Sequence, residues 1–380
     1  MNKLLAPMSG SRNVEYADFV RSFEKEHNRQ ILKLQTGDPD FSTPQVIQDS
    51  LSRSLSKGKT HYTNSQGAPE LREAIVNKLK KENKIESIVE EVIVTNGGIQ
   101  GVSLAVNAII NPGDKALIFE PYWMPYHSIL TVAGAEISKV SIDLENYDEQ
   151  KILNDFYDTY SDDVRIVIIN SPSNPTGIVF SENFITSILK RISSQTFLLS
   201  DEVYERIIYD EIKHISTASL GIKTKQIISV FSFSKTFAMT GFRVGYVHAD
   251  NKIISEMLKL FQFSSTCIAP FIQDACLTAL TDEGIDFEIN RMVKKYDERR
   301  QMLKKIKSAT MPAGAFYCFI KIPDKLARED FPFWMVRENG ISVSPGDAFG
   351  NYSGYFRISF AVSDDVWSRS VDFLSKILNS

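Results

Sequence analysis

An α/β fold with two lobes is what this sequence predicts: a large domain on a mostly parallel, seven-stranded sheet sandwiched by helices, and a smaller α+β domain built from both chain ends. Three observations carry that expectation. Seven short apolar runs alternate with longer amphipathic stretches through the middle of the chain, the pattern of strands buried on both faces by crossover helices. After about residue 280 the alternation gives way to a long charged helix and a different order of elements. A length of 380 residues also exceeds what one compact core usually holds, which favours two domains.

Taken in order, the extended segment Ile31–Gln35 stands apart from the central strands and is expected to join the small domain. Strands are predicted at Val92–Thr95, Ala116–Phe119, Ile137–Ser141, Val164–Asn170, Phe197–Ser200, Ile227–Phe231 and Val244–His248. Helical spacing separates several of them, at Gln100–Ile110, Glu182–Arg191 and Asn251–Phe261. The C-terminal region reads as a helix over Gly284–Ser308, a strand at Ala315–Ile322 and a helix near Pro332–Asn339. A strand at Tyr355–Ala361 and a closing helix from Asp364 follow. The division falls at 44–280 for the large domain, with 1–43 and 281–380 forming the small domain and its N-terminal arm.

Composition narrows the function classes. The chain is 43 % hydrophobic and 24 % charged, ordinary globular values. Its net charge of −4 comes from interleaved signs, so no basic footprint for nucleic acid is present. Lys78, Lys80 and Lys81 cluster on a helical pattern and are expected on a solvated face. Cys267, Cys276 and Cys318 sit in apolar contexts and are expected as buried thiols in a reducing compartment rather than as a disulfide framework. The five histidines show no pair at metal-ligand spacing, so no metal is expected. The N-terminal stretch lacks a signal-peptide core, and no run of about 18 apolar residues is available to span a bilayer. A cytoplasmic enzyme, off the membrane, is the expectation.

Polar residues gather at the C-terminal ends of the candidate strands, the edge where open α/β sheets bind ligands. Thr95-Asn96-Gly97-Gly98 ends a strand and opens a helix, so its backbone N–H groups can meet an anion, although glycine pairs end strands routinely. Asn170-Ser171-Pro172-Ser173-Asn174-Pro175-Thr176-Gly177 forms either a plain rigid turn or one that presents Asn174 into a pocket. In Ser200-Asp201-Glu202-Val203-Tyr204, Asp201 lies where burial begins, as a helix N-cap or as the counter-charge of a cofactor nitrogen. The segment from Ser232 to Tyr246 places Lys235 directly after an apolar strand, where a lysine is either snorkelling or functional. Desolvation there lowers an amine's pKa and supplies the neutral nucleophile that carbonyl attack requires. Ser232, Ser234 and Arg243 add hydroxyls and a fixed charge suited to phosphate. Neither a Walker A loop nor a G-x-G-x-x-G after a strand is present.

The combination S-P-S-N-P-T-G, S-D-E-V-Y and S-F-S-K…G-F-R-V-G-Y, in this order, resembles the class I/II (aspartate-aminotransferase-like) aminotransferases of pyridoxal-phosphate fold type I. The likeness runs from Gly37-Asp38-Pro39-Asp40-Phe41 to Phe356-Arg357-Ile358-Ser359. It implies pyridoxal 5′-phosphate as cofactor and a ping-pong exchange of an amino group between an α-amino acid and a 2-oxo acid. It further implies that Lys235 carries the cofactor as a Schiff base and then shuttles the proton between Cα and C4′. Asp201 would pair with the pyridine nitrogen, while Tyr204 and Asn174 would bond the ring's 3′-oxygen. Trp123 would stack on the ring, though by itself it reads as a half-buried core residue. Gly98, Ile99, Ser232, Ser234 and Arg243 would hold the phosphate, and Tyr62 would reach it from a partner subunit, implying a homodimer with shared sites. Arg357 would clamp the substrate α-carboxylate with Gly37 and Asn174 beside it, and the Asn174–Pro175 bond would be cis.

Two departures bear on specificity. Aspartate-preferring relatives carry a lysine where this chain has Ile99, and the arm reads Ser11-Arg12-Asn13-Val14, with Arg12 expected exposed. Another pyridoxal-phosphate chemistry, a lyase or cyclase, would use the same lysine, aspartate and arginine. A cofactor-sensing regulatory protein is the more remote alternative, since such proteins append a basic DNA-binding module.

Overall fold

The computed structural model describes residues 12–380, so residues 1–11 of the expected small-domain span, Ser11 included, lie outside the described residues. In chain order the strands are β1 (Leu32–Lys33), β2 (Val92–Thr95), β3 (Lys115–Glu120), β4 (Glu136–Ser141), β5 (Val164–Asn170) and β6 (Phe197–Asp201). They continue with β7 (Ile227–Ser232), β8 (Gly245–His248), β9 (Tyr317–Lys321), β10 (Ile341–Ser342), β11 (Ser344–Pro345) and β12 (Tyr355–Ser359).

The main sheet runs β2-β8-β7-β6-β5-β3-β4. Only β8 is antiparallel to its neighbours β2 and β7; the other pairs are parallel. Apolar runs such as Ile166–Ile169 are buried on both faces, as a helix-covered parallel sheet demands. Register lines up the strand ends that matter. Asn170 stands opposite Asp201, and Gly245 stands opposite both Ser232 and Thr95. One edge of the sheet therefore collects Thr95, Asn170, Asp201 and Ser232, followed immediately by Lys235.

A second hydrophobic core gathers Phe316, Ile320, Phe356, Ile358, Phe360 and Trp367 beneath the antiparallel sheet β11-β12-β9. The early strand β1 pairs in parallel with β10, Leu32 opposite Ile341 and Lys33 opposite Ser342. Tyr204 and Ile207, from the turn after β6, also enter this second core and tie it to the main sheet.

Three expectations are corrected. The lysine cluster does not form one solvated face. Lys80 and Lys81 are exposed, but Lys78 is only 7 % exposed, donating to Asn83 Oδ1 at 2.8 Å and pairing with Glu205. Burial of that ammonium is tolerated because a carboxylate 127 residues away compensates it, a partner no local pattern could supply. The helix expected over Gly284–Ser308 spans Ile285–Gln301 and tightens into a 3₁₀ turn at Met302–Lys305, where Leu303 turns into the second core. Cys276 and Cys318 are buried and unpaired, whereas Cys267 is half-buried on a loop.

Candidate active site

The site is built from two ends of one cavity. At the first, β2 stops at Thr95 and the helix Gly97–Ile109 begins. Gly97 has φ +76°, and a Cβ there would lie 2.7 Å from Arg243 Nη2, so glycine is what lets the guanidinium settle on this turn. Ser232 ends β7 and caps the short turn of helix Phe233–Thr236 by accepting from Ser234 N at 3.1 Å. Arg243 is itself left-handed at φ +53°, is exposed, and donates to Thr240 O at 2.8 Å. Among the described residues no carboxylate pairs with it.

Lys235 lies between the ends. Its Nζ donates to the carbonyl of Gly37 at 2.5 Å. Burial brings the amine down to about 8, opposed by nearby Asp38 and reinforced by Arg357 and Arg243. Asp201, at the end of β6, is buried; it accepts from the Tyr126 hydroxyl and from Val203 N at 3.2 Å. Desolvation pushes its carboxyl up to about 6 despite those bonds. The N–H it caps belongs to a turn, since no helix starts there.

The second end is assembled from distant parts of the chain. Arg357 is 6 % exposed on β12. Its Nη1 donates to Asn174 Oδ1 at 2.8 Å, and Nη2 to Gln35 O at 2.7 Å and Ser344 Oγ at 3.1 Å. The buried Nε has no partner. Tyr317 lies under the guanidinium at 4.3 Å and Phe349 at 5.0 Å. A desolvated cation with aromatic walls, a spare donor and no carboxylate is arranged to take an anion from outside. Gly37 passes so near that a Cβ would meet Tyr317 Oη at 2.3 Å. The Asn174–Pro175 bond is cis.

Every residue expected in the site from the sequence lines this cavity of about 460 Å³, except Tyr62. Tyr62 is 87 % exposed and does not line its own chain's cavity. Trp123 and Tyr126 meet edge to face, 5.3 Å apart. Tyr204 lines the cavity, but its hydroxyl is engaged by Tyr317 at 2.9 Å. Ile99 is 41 % exposed at the rim. Arg12 stays outside, exposed and 3.3 Å from Asp347. Sequence reasoning missed Tyr126, Tyr317, Asp38 and Thr240, all in the lining. Tyr126 stands three residues after Trp123, a helical spacing that was available as a signal; Tyr317, in an apolar strand, offered none.

Residues present fit pyridoxal phosphate: N–H groups and an arginine at one end, a buried carboxylate and an aromatic wall in the middle, and an amine within the same cavity. Among the described residues no group of acidic, His and Cys side chains is placed to hold a metal, and no helix is long and apolar enough to cross a membrane.

Residues 29–374 match the family model described as aminotransferase class I and II. The aspartate aminotransferase of Pyrococcus abyssi is 36 % identical over 362 residues, covering 92 % of each chain. The aromatic-amino-acid aminotransferase 2 of Thermococcus litoralis is 34 % identical over 358 residues, again 92 % of each. The crystal structure of an aromatic aminotransferase from Pyrococcus horikoshii OT3 superimposes with a TM-score of 0.88 at 36 % identity, covering 94 % of this chain and 98 % of its own.

Proposed function

The chain belongs to the aminotransferases of class I and II, pyridoxal-phosphate-dependent enzymes that exchange an amino group between an amino acid and a 2-oxo acid, and on that premise we propose that Lys235 carries the cofactor and moves the proton at the substrate α-carbon. The carrying observation is a half-buried amine, brought to about 8 by desolvation, in one cavity with a phosphate-type cradle and a carboxylate-seeking arginine. An amine so placed is free to accept a proton near neutral pH and to return it.

When bound, pyridoxal phosphate supplies an aldehyde that condenses with amines and a pyridine ring that stores the electrons released at the α-carbon. The chain's residues do the rest. Gly98 and Ile99 N–H groups, Ser232, Ser234 and Arg243 hold the phosphate. Asp201 would hold a proton on the ring nitrogen, and that positive charge would favour the ionised carboxylate, which burial otherwise opposes. Trp123 covers the ring, and Asn174 and Tyr204 orient its 3′-oxygen. Arg357, with the Gly37 backbone and Asn174, fixes the α-carboxylate so that the Cα–H bond faces Lys235.

The same reading divides the chain at 44–280 and 1–43 plus 281–380, with the segment 37–43 as the strap between them. Thr240 Oγ1 donates to Asp38 at 2.6 Å and Thr43 Oγ1 to Ala238 O at 2.6 Å, contacts suited to closing over a substrate. It makes the enzyme a cytoplasmic homodimer in which Tyr62 serves the partner's phosphate site. Exposure of 87 % at Tyr62 and 96 % at Phe263 supports a covered face in the working assembly.

The test is the absorbance spectrum of purified protein with amino donors including aspartate and phenylalanine. The expected result is a visible cofactor band, absent in Lys235→Ala, that bleaches to the pyridoxamine form with a donor. A cofactor-loaded protein that no donor converts would instead favour lyase or cyclase chemistry.

A further inference from the structure

The end of β6 carries two neighbouring carboxylates, of which only Asp201 lines the cavity. Successive strand residues point to opposite faces, so Glu202 turns away together with Ser200. Glu202 is fully buried. Its Oε1 accepts from Ser200 Oγ at 2.9 Å and Thr217 N at 3.2 Å, and its Oε2 lies 2.8 Å from His214 Nε2. Burial alone would raise this carboxyl, but the His214 contact and the hydroxyls of Ser216 and Ser200 together hold it below the usual range. Glu202 is therefore an ionised acceptor and His214 Nε2 the donor. The Nδ1 of the same ring is buried without a partner, so the imidazole has no other hydrogen-bonded anchor. None of this serves the cofactor or substrate directly.

We propose that Glu202 and His214 are positioning residues for the reaction: a buried carboxylate–imidazole pair behind the sheet edge that keeps Asp201 aimed into the cavity and sets how readily it ionises. A charge one residue away in a desolvated site opposes ionisation of Asp201, and the imidazole moderates that opposition. Asp201 is otherwise faced by the hydroxyls of Tyr126 and Tyr204. Glu202 is otherwise faced by Tyr246 and by His248, the latter 4.0 Å from Glu91, and the Lys78–Glu205 pair is linked to it through Asn83 and Ser216. A mere structural pin would act through shape alone; a charge device acts even when shape is kept, and that difference is measurable.

The inference rests on Asp201 being the partner of the ring nitrogen, so the experiment tests both separately. Affinity of the apoenzyme for pyridoxamine 5′-phosphate is followed by tryptophan fluorescence from pH 5 to 8, with melting curves as a check on folding. The ligand's own titration cancels between variants. Wild-type affinity is expected to fall on the acid side as Asp201 takes a proton. Glu202→Gln keeps the shape and removes the charge, and should move that fall to lower pH by roughly one unit. His214→Leu strips the donor and should move it to higher pH, while His214→Gln, still a donor, should stay near wild type. An unmoved fall in Glu202→Gln, or Glu202→Gln and His214→Leu moving the same way, overturns the proposal. Should Glu202→Gln not fold, His214→Leu against His214→Gln decides the matter, and equal behaviour of those two overturns it. Asp201→Asn should abolish the fall; if it does not, the assignment of Asp201 itself is what fails.

Discussion

The two arginines of the cavity sit in opposite surroundings. Arg243, at the end proposed for phosphate, is exposed and held by a backbone carbonyl of its own loop. Arg357, at the end proposed for the substrate carboxylate, is buried and held by groups from four separate stretches of chain. The first end joins two short stretches, Thr95–Gly98 and Ser232–Arg243, each of which a contiguous motif can encode. The second is a tertiary structure with the strength and intolerance that desolvation brings. A solvated cradle suits a cofactor that stays bound through many contacts; a dry fork suits a substrate that must be placed accurately and released each turnover.

The largest separation between the ends is expected from Arg357→Lys. An ammonium cannot reproduce the fork held by Asn174, Gln35 and Ser344, and kcat/KM should fall roughly 100-fold or more with the cofactor band intact. Steady-state kinetics and the absorbance spectrum of the same preparation check this. A smaller effect is expected from Arg243→Gln, which should weaken cofactor retention about tenfold while leaving the amino-acid KM of the loaded enzyme near wild type. Dialysis followed by cofactor quantification reads it. Raised salt should mimic Arg243→Gln in part and leave the behaviour of Arg357 untouched, because only the exposed charge is screened.

Lys235 gives a pH prediction whose sign follows from its depressed value. The folded apoenzyme holds the amine at about 8 against an ordinary 10.5, so the unfolded chain binds the proton first as pH falls. As pH falls from 10.5 to 8, apoenzyme stability should therefore decline through this group, and below 8 that loss should be complete and independent of pH. Lys235→Met should flatten that contribution in denaturant titrations at several pH values. The smallest effect is expected at Tyr126→Phe: losing the hydroxyl removes a bond that lowers Asp201, so the acid-side loss of cofactor affinity should move upward by less than one pH unit.

The same contrast explains what the sequence disclosed. Strand β5 and the helix Glu182–Arg191 are legible at both ends because a doubly buried apolar run and a Ser181 cap with 3.6-residue spacing are local signals. The glycines before Ile99 and the serines before Lys235 are legible for the same reason. Tyr317 and Gln35 were not, since their roles come from lying beside Arg357 across up to 322 residues of chain. Lys78 was misread because its meaning depends on Glu205. Of the Glu202–His214 pair only Glu202 lies in the S-D-E-V-Y motif; His214 stands 12 residues on, outside any local pattern.

The central claim is that Lys235 carries the cofactor. Borohydride reduction of the loaded enzyme, followed by proteolysis and mass spectrometry, locates the lysine to which the cofactor is bound. A single modified peptide containing Lys235, between Ser234 and Thr236, is expected; modification at another lysine, with Lys235 recovered free, would contradict that assignment.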